Sequence, residues 1–112
     1  MAGKGITLDV HIYTEYVHIV IKSFCDKRTA ALFQGLNPRG IGPDVVKRAK
    51  MKLALLDAAV TLDFLRSPPG NRLEALKGNR AGQHSIRVND QWRICFTWRE
   101  GDAYDAEFCD YH

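Results

Sequence analysis

The sequence predicts an α+β domain in which two helices precede an antiparallel meander. Three observations carry this prediction. Apolar residues recur with a 3.6-residue period between positions 44 and 65, and alternate with period two between positions 84 and 111. Pro68-Pro69-Gly70 separates the two patterns. A chain of 112 residues is one ordinary domain. At that length roughly two-thirds of the unfolded surface is buried, so folding needs neither metal nor disulfide.

Residues 1–19 read as an N-terminal extension and 20–112 as the domain proper. The extension starts with small, flexible residues (Ala2, Gly3, Gly5), and its later part has high β-propensity. The first strand is expected near 18–24. Asp26 then caps a short helix through about Gln34, with Gly35 as its stop. Asn37-Pro38-Arg39-Gly40 and Gly42-Pro43 mark a loop. Asp44 opens the longest helix, expected to run to about Leu65, where the Pro-Pro-Gly break ends it.

Two apolar stripes lie on opposite sides of that helix: Val46, Ala49, Leu53, Leu56, Val60, Phe64 and Met51, Leu55, Ala58, Leu62, Leu65. Such a helix is expected between layers, one side on a sheet and the other on the first helix or a partner protein. Strands are expected at His84–Val88, Trp92–Trp98 and Ala103–Tyr111. Even positions (Ile86, Val88, Trp92, Ile94, Phe96, Trp98, Tyr104, Ala106, Phe108) form the apolar face, and odd positions an open polar face. The phase fixes the register, because a one-residue slip would flip every side chain. Val88 pairs with Trp92 across a three-residue loop. Arg87 then lies opposite Arg93, and Arg93 faces Cys109, or Tyr111 if the next loop is longer.

Composition fits a soluble globular protein, with 46% hydrophobic and 26% charged residues. No apolar run reaches the ~18 residues of a membrane span, and no signal-peptide core begins the chain. A cytoplasmic location without membrane attachment is expected. Cys25, Cys95 and Cys109 have no close spacing and read as free, packed thiols rather than a disulfide framework or zinc site. His11, His18 and His84 show no metal-ligand spacing. Trp92, Phe96 and Trp98 share the apolar phase and read as core rather than as a base-stacking platform.

The net charge of +3 hides an asymmetry. Residues 22–52 carry eight Lys/Arg against two acids, and residues 64–99 carry seven against two. Residues 100–112 carry five acids and no Lys or Arg. Clustered cations attract phosphate, although the same cluster is also compatible with an ordinary solvated surface.

One local rule is broken. Like charges directly opposite on a sheet destabilise it, yet the register places Arg87 beside Arg93. An anion between the guanidiniums would relieve this, and Arg holds phosphate bidentately. The alternative is that the side chains splay apart or pair with Glu107 and Asp105. Asp110-Tyr111-His112 would then bring proton-exchanging groups to the strand beside Arg93.

At these residues the sequence resembles the HigB branch of the RelE/ParE toxins. The resemblance runs from IVIKSF (19–24) through LDAA (56–59), SPPGNRLE (67–74), LKG (76–78) and SIRVN…QWRI (85–94) to DYH (110–112). It implies a RelE-like α+β fold with two N-terminal helices on one face of a mainly antiparallel, twisted sheet. It also implies a ribosome-dependent mRNA endoribonuclease that uses no metal or cofactor. The implied partners are the ribosome, mRNA and a cognate helix-turn-helix (HigA-like) antitoxin, with operator DNA reached only through that antitoxin.

Residue by residue, the resemblance assigns catalytic roles to Lys77, Arg93, Asp110, Tyr111 and His112. Some relatives carry a catalytic His three positions before the LKG lysine. This chain has Glu74 there, a carboxylate able to act as a base. Arg87, Arg72, Arg80, Lys47 and Lys50, with neighbouring Arg48 and Lys52, are candidate RNA contacts. Two rival readings remain: a ParE-like toxin that acts on DNA gyrase instead, and a binding module whose catalysis has decayed. Relatives often begin just before IKSF. This chain is therefore expected either to start naturally at Val20, or to use its extension as an added strand or a cover for the antitoxin face.

Overall fold

A computed structural model describes residues 6–7 and 19–110, and all structural statements below concern those residues. The strands are β1 (Ile6–Thr7), β2 (Ser23–Phe24), β3 (Glu74–Ala75), β4 (His84–Arg87), β5 (Trp92–Arg99) and β6 (Asp102–Asp110). The helices are α1 (Lys27–Phe33) and α2 (Pro43–Asp57), with single 3₁₀ turns at Leu62–Arg66, Pro69–Asn71 and Gly78–Arg80. The strands form one mixed sheet in the order β1-β2-β6-β5-β4-β3.

The expected strand at 18–24 is shorter. Ile21 makes an isolated parallel bridge to Ala103, and Phe24 of β2 pairs in parallel with Ala106. Residue 18 lies outside the described residues. Ile6–Thr7 pair antiparallel with β2, so this part of the extension adds a strand. The rest of the extension before Ile19 lies outside the described residues, and with it most of the segment whose removal the Val20 start would require.

The Asp26 carboxylate accepts the Thr29 N–H at 2.7 Å, which starts α1. Gly35 follows its last turn at φ +91°, a conformation that costs a residue without Cβ little. Lys50 Nζ donates to the Gly35 carbonyl at 2.9 Å and thereby ties the end of α1 to α2. Pro43 occupies the first turn of α2, where its missing N–H costs nothing.

The helix expected to reach Leu65 stops at Asp57. Thr61 is extended, and its hydroxyl accepts the Phe64 N–H at 3.2 Å, opening a separate 3₁₀ turn. Asp57 Oδ1 also accepts the N–H groups of both Val20 and Ile21 at 3.0 Å. Val46, Ala49, Leu53 and Leu56 are buried as expected. Val60 and Phe64, past the break, are 70% and 42% exposed. The second stripe is not a continuous buried face either: Met51 is exposed, Leu55 and Leu62 are half-buried, and Leu65 is buried from the 3₁₀ turn.

Asp57→Ala would leave two backbone donors of buried residues without their acceptor. An unmet buried donor costs about 1–3 kcal/mol. The urea midpoint should fall clearly with little change in slope, and an unchanged midpoint would show that Asp57 is not a tether.

The β4–β5 register is as expected, with Ile86 opposite Ile94 and Arg87 opposite Arg93, and Val88 N–H bonds to the Trp92 carbonyl at 2.9 Å. Arg93 lies opposite Cys109. Glu100 and Gly101, at φ +50° and +84°, make the tight β5–β6 hairpin. A β-bulge between Cys95 and Thr97, with Asp105 at φ +55°, shifts the phase. This corrects the even-position rule. Tyr104 now pairs with Thr97 and its ring lies 4.1 Å from the Arg99 guanidinium, while Ala103 turns into the core.

The core joins Leu32 of α1 and Leu53 and Leu56 of α2 to Ile86, Ile94, Phe96 and Phe108 of the sheet. Trp92 stacks on Phe108 at 4.3 Å, and Trp98 meets Phe96 edge-on. The aromatic residues therefore belong to the core, as their phase predicts. His84 is half-buried and stacks on Phe96.

Candidate active site

The two opposed arginines part company. Arg87 Nη2 meets Asp90 Oδ1 at 2.5 Å, and this hydrogen bond to the guanidinium holds the Asp90 carboxyl below the usual carboxylate range. Arg93 turns the other way. Its Nε donates to Ser85 Oγ at 2.6 Å, and its Nη2 donates to the Arg72 carbonyl at 2.6 Å. Glu74 Oε1 lies 3.6 Å from the same nitrogen. The alternative partners are engaged elsewhere: Glu107 pairs with Arg80 at 3.0 Å, and Asp105 meets the Ser23 hydroxyl.

Arg93 is only 7% exposed, although its position is on the face expected to be open. Residues 72–83 fold over that face. Glu74 pairs with Ser85 through β3, and the Leu76 N–H bonds to the Gln83 carbonyl. Beneath this cover Leu76, Cys95 and Cys109 form a small buried cluster. The expectation of one fully solvated face is thus corrected: the β3 segment roofs part of it.

Local sequence explains the roof. Pro68-Pro69-Gly70 forces a tight 3₁₀ turn that leaves Arg72 left-handed at φ +46°, with its carbonyl accepting from Arg93. Asn71 lies buried inside the turn. Its Nδ2 donates to the carbonyls of Leu65 and Ser67 at 3.1 and 3.2 Å, and its Oδ1 accepts from Lys52 at 2.5 Å.

The structure brings Glu74 and Arg93 together. Lys77 is exposed on the same roof segment, just before the Gly78–Arg80 turn. Asp110 pairs with Trp92, so strand alternation puts it on the core-side face, across the sheet from Arg93. There its Oδ2 accepts from Gln91 Nε2 at 3.0 Å. Tyr111 and His112 lie outside the described residues.

The candidate RNA contacts fall into separate places. Arg87, Arg48 and Lys52 line a cleft of about 240 Å³ with Met51, Gly70 and Val88. Burial, then Arg87 and Arg48, push the Lys52 ammonium below its ordinary pKa. Lys47 and Lys50 line a different hollow of about 350 Å³ beside Pro38, Ile41, Pro43 and Val46. Lys50 there also bonds Asn37 Oδ1 at 2.5 Å. Arg80 serves Gln83 and Glu107, and the Arg72 side chain is exposed.

Sequence reasoning missed Ser85 and Asn71 as supports of the site. For Ser85 the signal was present, since it sits two positions before Arg87 on the face of Arg93. Nothing in the alternation marks Asn71, because its partners are Lys52 of α2 and the carbonyls of Leu65 and Ser67 at the end of the Leu62–Arg66 turn.

Comparison with known proteins bears on the fold and the family. The fold matches a chain of the YoeB-YefM complex from Staphylococcus aureus with a TM-score of 0.51. The match covers 86% of this chain and 97% of that one at 21% identity, so it speaks for the fold alone. Residues 22–112 match the HigB-like toxin family, described as the RelE-like toxin of the type II toxin-antitoxin system HigB, and the chain belongs to that family. Toxin HigB-1 of Vibrio cholerae is 40% identical over 84 residues, covering 74% of this chain and 88% of that protein. Endoribonuclease HigB of Proteus vulgaris is 37% identical over 93 residues, covering 83% of this chain and all of that protein.

Proposed function

We propose that this chain is a toxin that cleaves mRNA on the ribosome without metal or cofactor, and is neutralised by a helix-turn-helix, HigA-like antitoxin. The observation that carries the reading is Arg93. Its guanidinium is pinned by Ser85 and the Arg72 carbonyl, beside Glu74, on the strand paired with the one that leads into Asp110-Tyr111-His112. Similarity to a full-length relative named as an endoribonuclease supports the same chemistry. The RelE-like arrangement, with both N-terminal helices on one face of the sheet, accompanies this reading. Operator DNA is reached only through the antitoxin. Translation places the target in the cytoplasm, and no described helix is long and apolar enough to cross a membrane.

In the proposed reaction the RNA's own 2′-hydroxyl attacks the adjacent phosphorus. A base takes its proton, an acid protonates the departing 5′-oxygen, and cations stabilise the crowded phosphorane. Arg93 and Lys77 supply the positive charge, with Arg87 assisting from its cleft. Tyr111 and His112 exchange the protons, and Asp110 tunes His112. Glu74 is a carboxylate base at the edge of the site. The incoming phosphate takes over Glu74's contact with Arg93, which a half-exposed carboxylate gives up readily. Arg72, Arg80, Lys47 and Lys50 meet RNA phosphates, which position a protein and carry little sequence information.

Primer extension on a translated mRNA should show cuts that are missing when the same RNA is incubated with the chain alone. Ribosome association should weaken steeply between low and moderate salt. Equal cutting of naked RNA, or salt-independent binding, would refute ribosome dependence. Intact mRNA with inhibited DNA supercoiling would move the chain to the gyrase-directed reading.

A further inference from the structure

We propose that Cys95 and Cys109 are an oxidation site for small peroxides, closing to a reversible disulfide beneath the candidate active site and slowing RNA cleavage. The effect on cleavage rests on the function proposed above, whereas the bond itself does not.

The sulfurs lie 2.9 Å apart. Strand register explains the approach. Arg93 is opposite Cys109 and Cys95 is opposite Glu107, so the two thiols are diagonal neighbours on one face of adjacent strands. A disulfide needs S–S near 2.05 Å, so closure requires an approach of about 0.9 Å. Sequence spacing gave no hint of the pair, because 14 positions separate the cysteines. Cys25 is exposed and belongs to neither strand.

The two thiols differ. The hydrogen bond with Cys95 holds the Cys109 thiol below its ordinary pKa despite burial, with Arg80 and Arg93 assisting. The same bond, together with burial, pushes the Cys95 thiol up. Cys109 is also the more exposed of the two, at 7% against 1%, so it is the sulfur that meets peroxide first. Access comes from above, where the cover is a two-residue strand and a 3₁₀ turn, and such short elements open locally at low cost.

The chemistry balances with hydrogen peroxide as oxidant. The Cys109 thiolate attacks one peroxide oxygen, the O–O bond breaks, and a sulfenic acid forms as the other oxygen leaves as water. Cys95 then attacks the Cys109 sulfur, loses its proton, and displaces the sulfenic oxygen as a second water. Two thiols lose two electrons and two protons, and peroxide gains both.

Closure pulls on the residue opposite Arg93 and next to Asp110. Misplacing catalytic groups by about 1 Å can cost roughly a hundredfold in rate.

The test uses the purified Cys25→Ser chain, which keeps only the two thiols in question. After peroxide the chain is denatured, alkylated with iodoacetamide and weighed intact. The proposal expects no alkyl groups and a mass lower by two hydrogens, both reversed by dithiothreitol. Two alkyl groups, or added oxygen atoms in place of the bond, would overturn it. In parallel, cleavage of translated mRNA should fall about tenfold or more on oxidation and recover with dithiothreitol. Cys95→Ala should keep its rate under the same treatment. A disulfide that forms without changing cleavage would overturn the coupling to the site. A reduced chain that never cleaves would instead overturn the function proposed above, while the mass still decides the pair.

Discussion

Replacing Arg93 by Ala is expected to abolish cleavage of translated mRNA and to weaken the fold at the same time. The two effects have separate causes. Losing a preorganised cation at a developing phosphorane costs on the order of 10²–10³ in rate. Losing its hydrogen bonds leaves the Ser85 hydroxyl and the Arg72 carbonyl without their donor in a nearly dry place. That should remove about 1–3 kcal/mol of stability. Primer extension reads the first effect and urea unfolding the second.

Arg93→Lys separates them further. It keeps the charge but not the planar fork that reaches Ser85, Arg72 and Glu74 together. Cleavage should stay low even where stability partly returns. A well-folded Arg93→Lys chain cutting at the parental rate would show that only charge matters here. An Arg93→Ala chain doing so would remove Arg93 from the site.

A chain ending at Asp110 is expected to bind its antitoxin and unfold like the parent, yet to cut no translated mRNA. Proton transfer by positioned groups contributes about 10²–10⁴ in rate, and this truncation removes both proposed carriers, Tyr111 and His112. The described contacts of the strand end survive, because Asp110 keeps Trp92 as its register partner and Gln91 as its donor. His112→Ala alone should lower cleavage of translated mRNA by removing one of the two proposed proton carriers. Undiminished cutting by the truncated, folded chain would place the proton carriers elsewhere.

The meander was legible in the sequence because period-two alternation, one short loop and the parity of pairing determine register without tertiary knowledge. Arg87 opposite Arg93 follows from that parity, which left Arg93 facing either Cys109 or Tyr111; the hairpin and its bulge select Cys109. The bulge was not legible. It rests on Asp105 adopting a left-handed conformation, which its residue type permits but does not announce. The end of α2 was hidden for a related reason. Val60 and Phe64 continue the apolar period past Asp57, where the helix stops, and the Thr61 hydroxyl caps a separate turn instead.

At the site, Arg93 stood out from a broken pairing rule. Its burial did not, because the roof over it comes from a loop whose path depends on the Pro-Pro-Gly-Asn turn. Asp110 was placed beside Arg93 by proximity along the chain, and strand alternation sends it to the other face.

The parallel pairing of β2 with β6 has a consequence for synthesis. β6 sits in the interior of the sheet, yet it follows all five other described strands in the sequence. A nascent chain that has not reached residues 102–110 has β2 and β5 with a missing strand between them, and Phe108 is absent from the core. The sheet therefore cannot close on a partial product. A translation product interrupted before this strand carries no assembled toxin face, so the cell meets the folded molecule only after almost the whole described chain has been made.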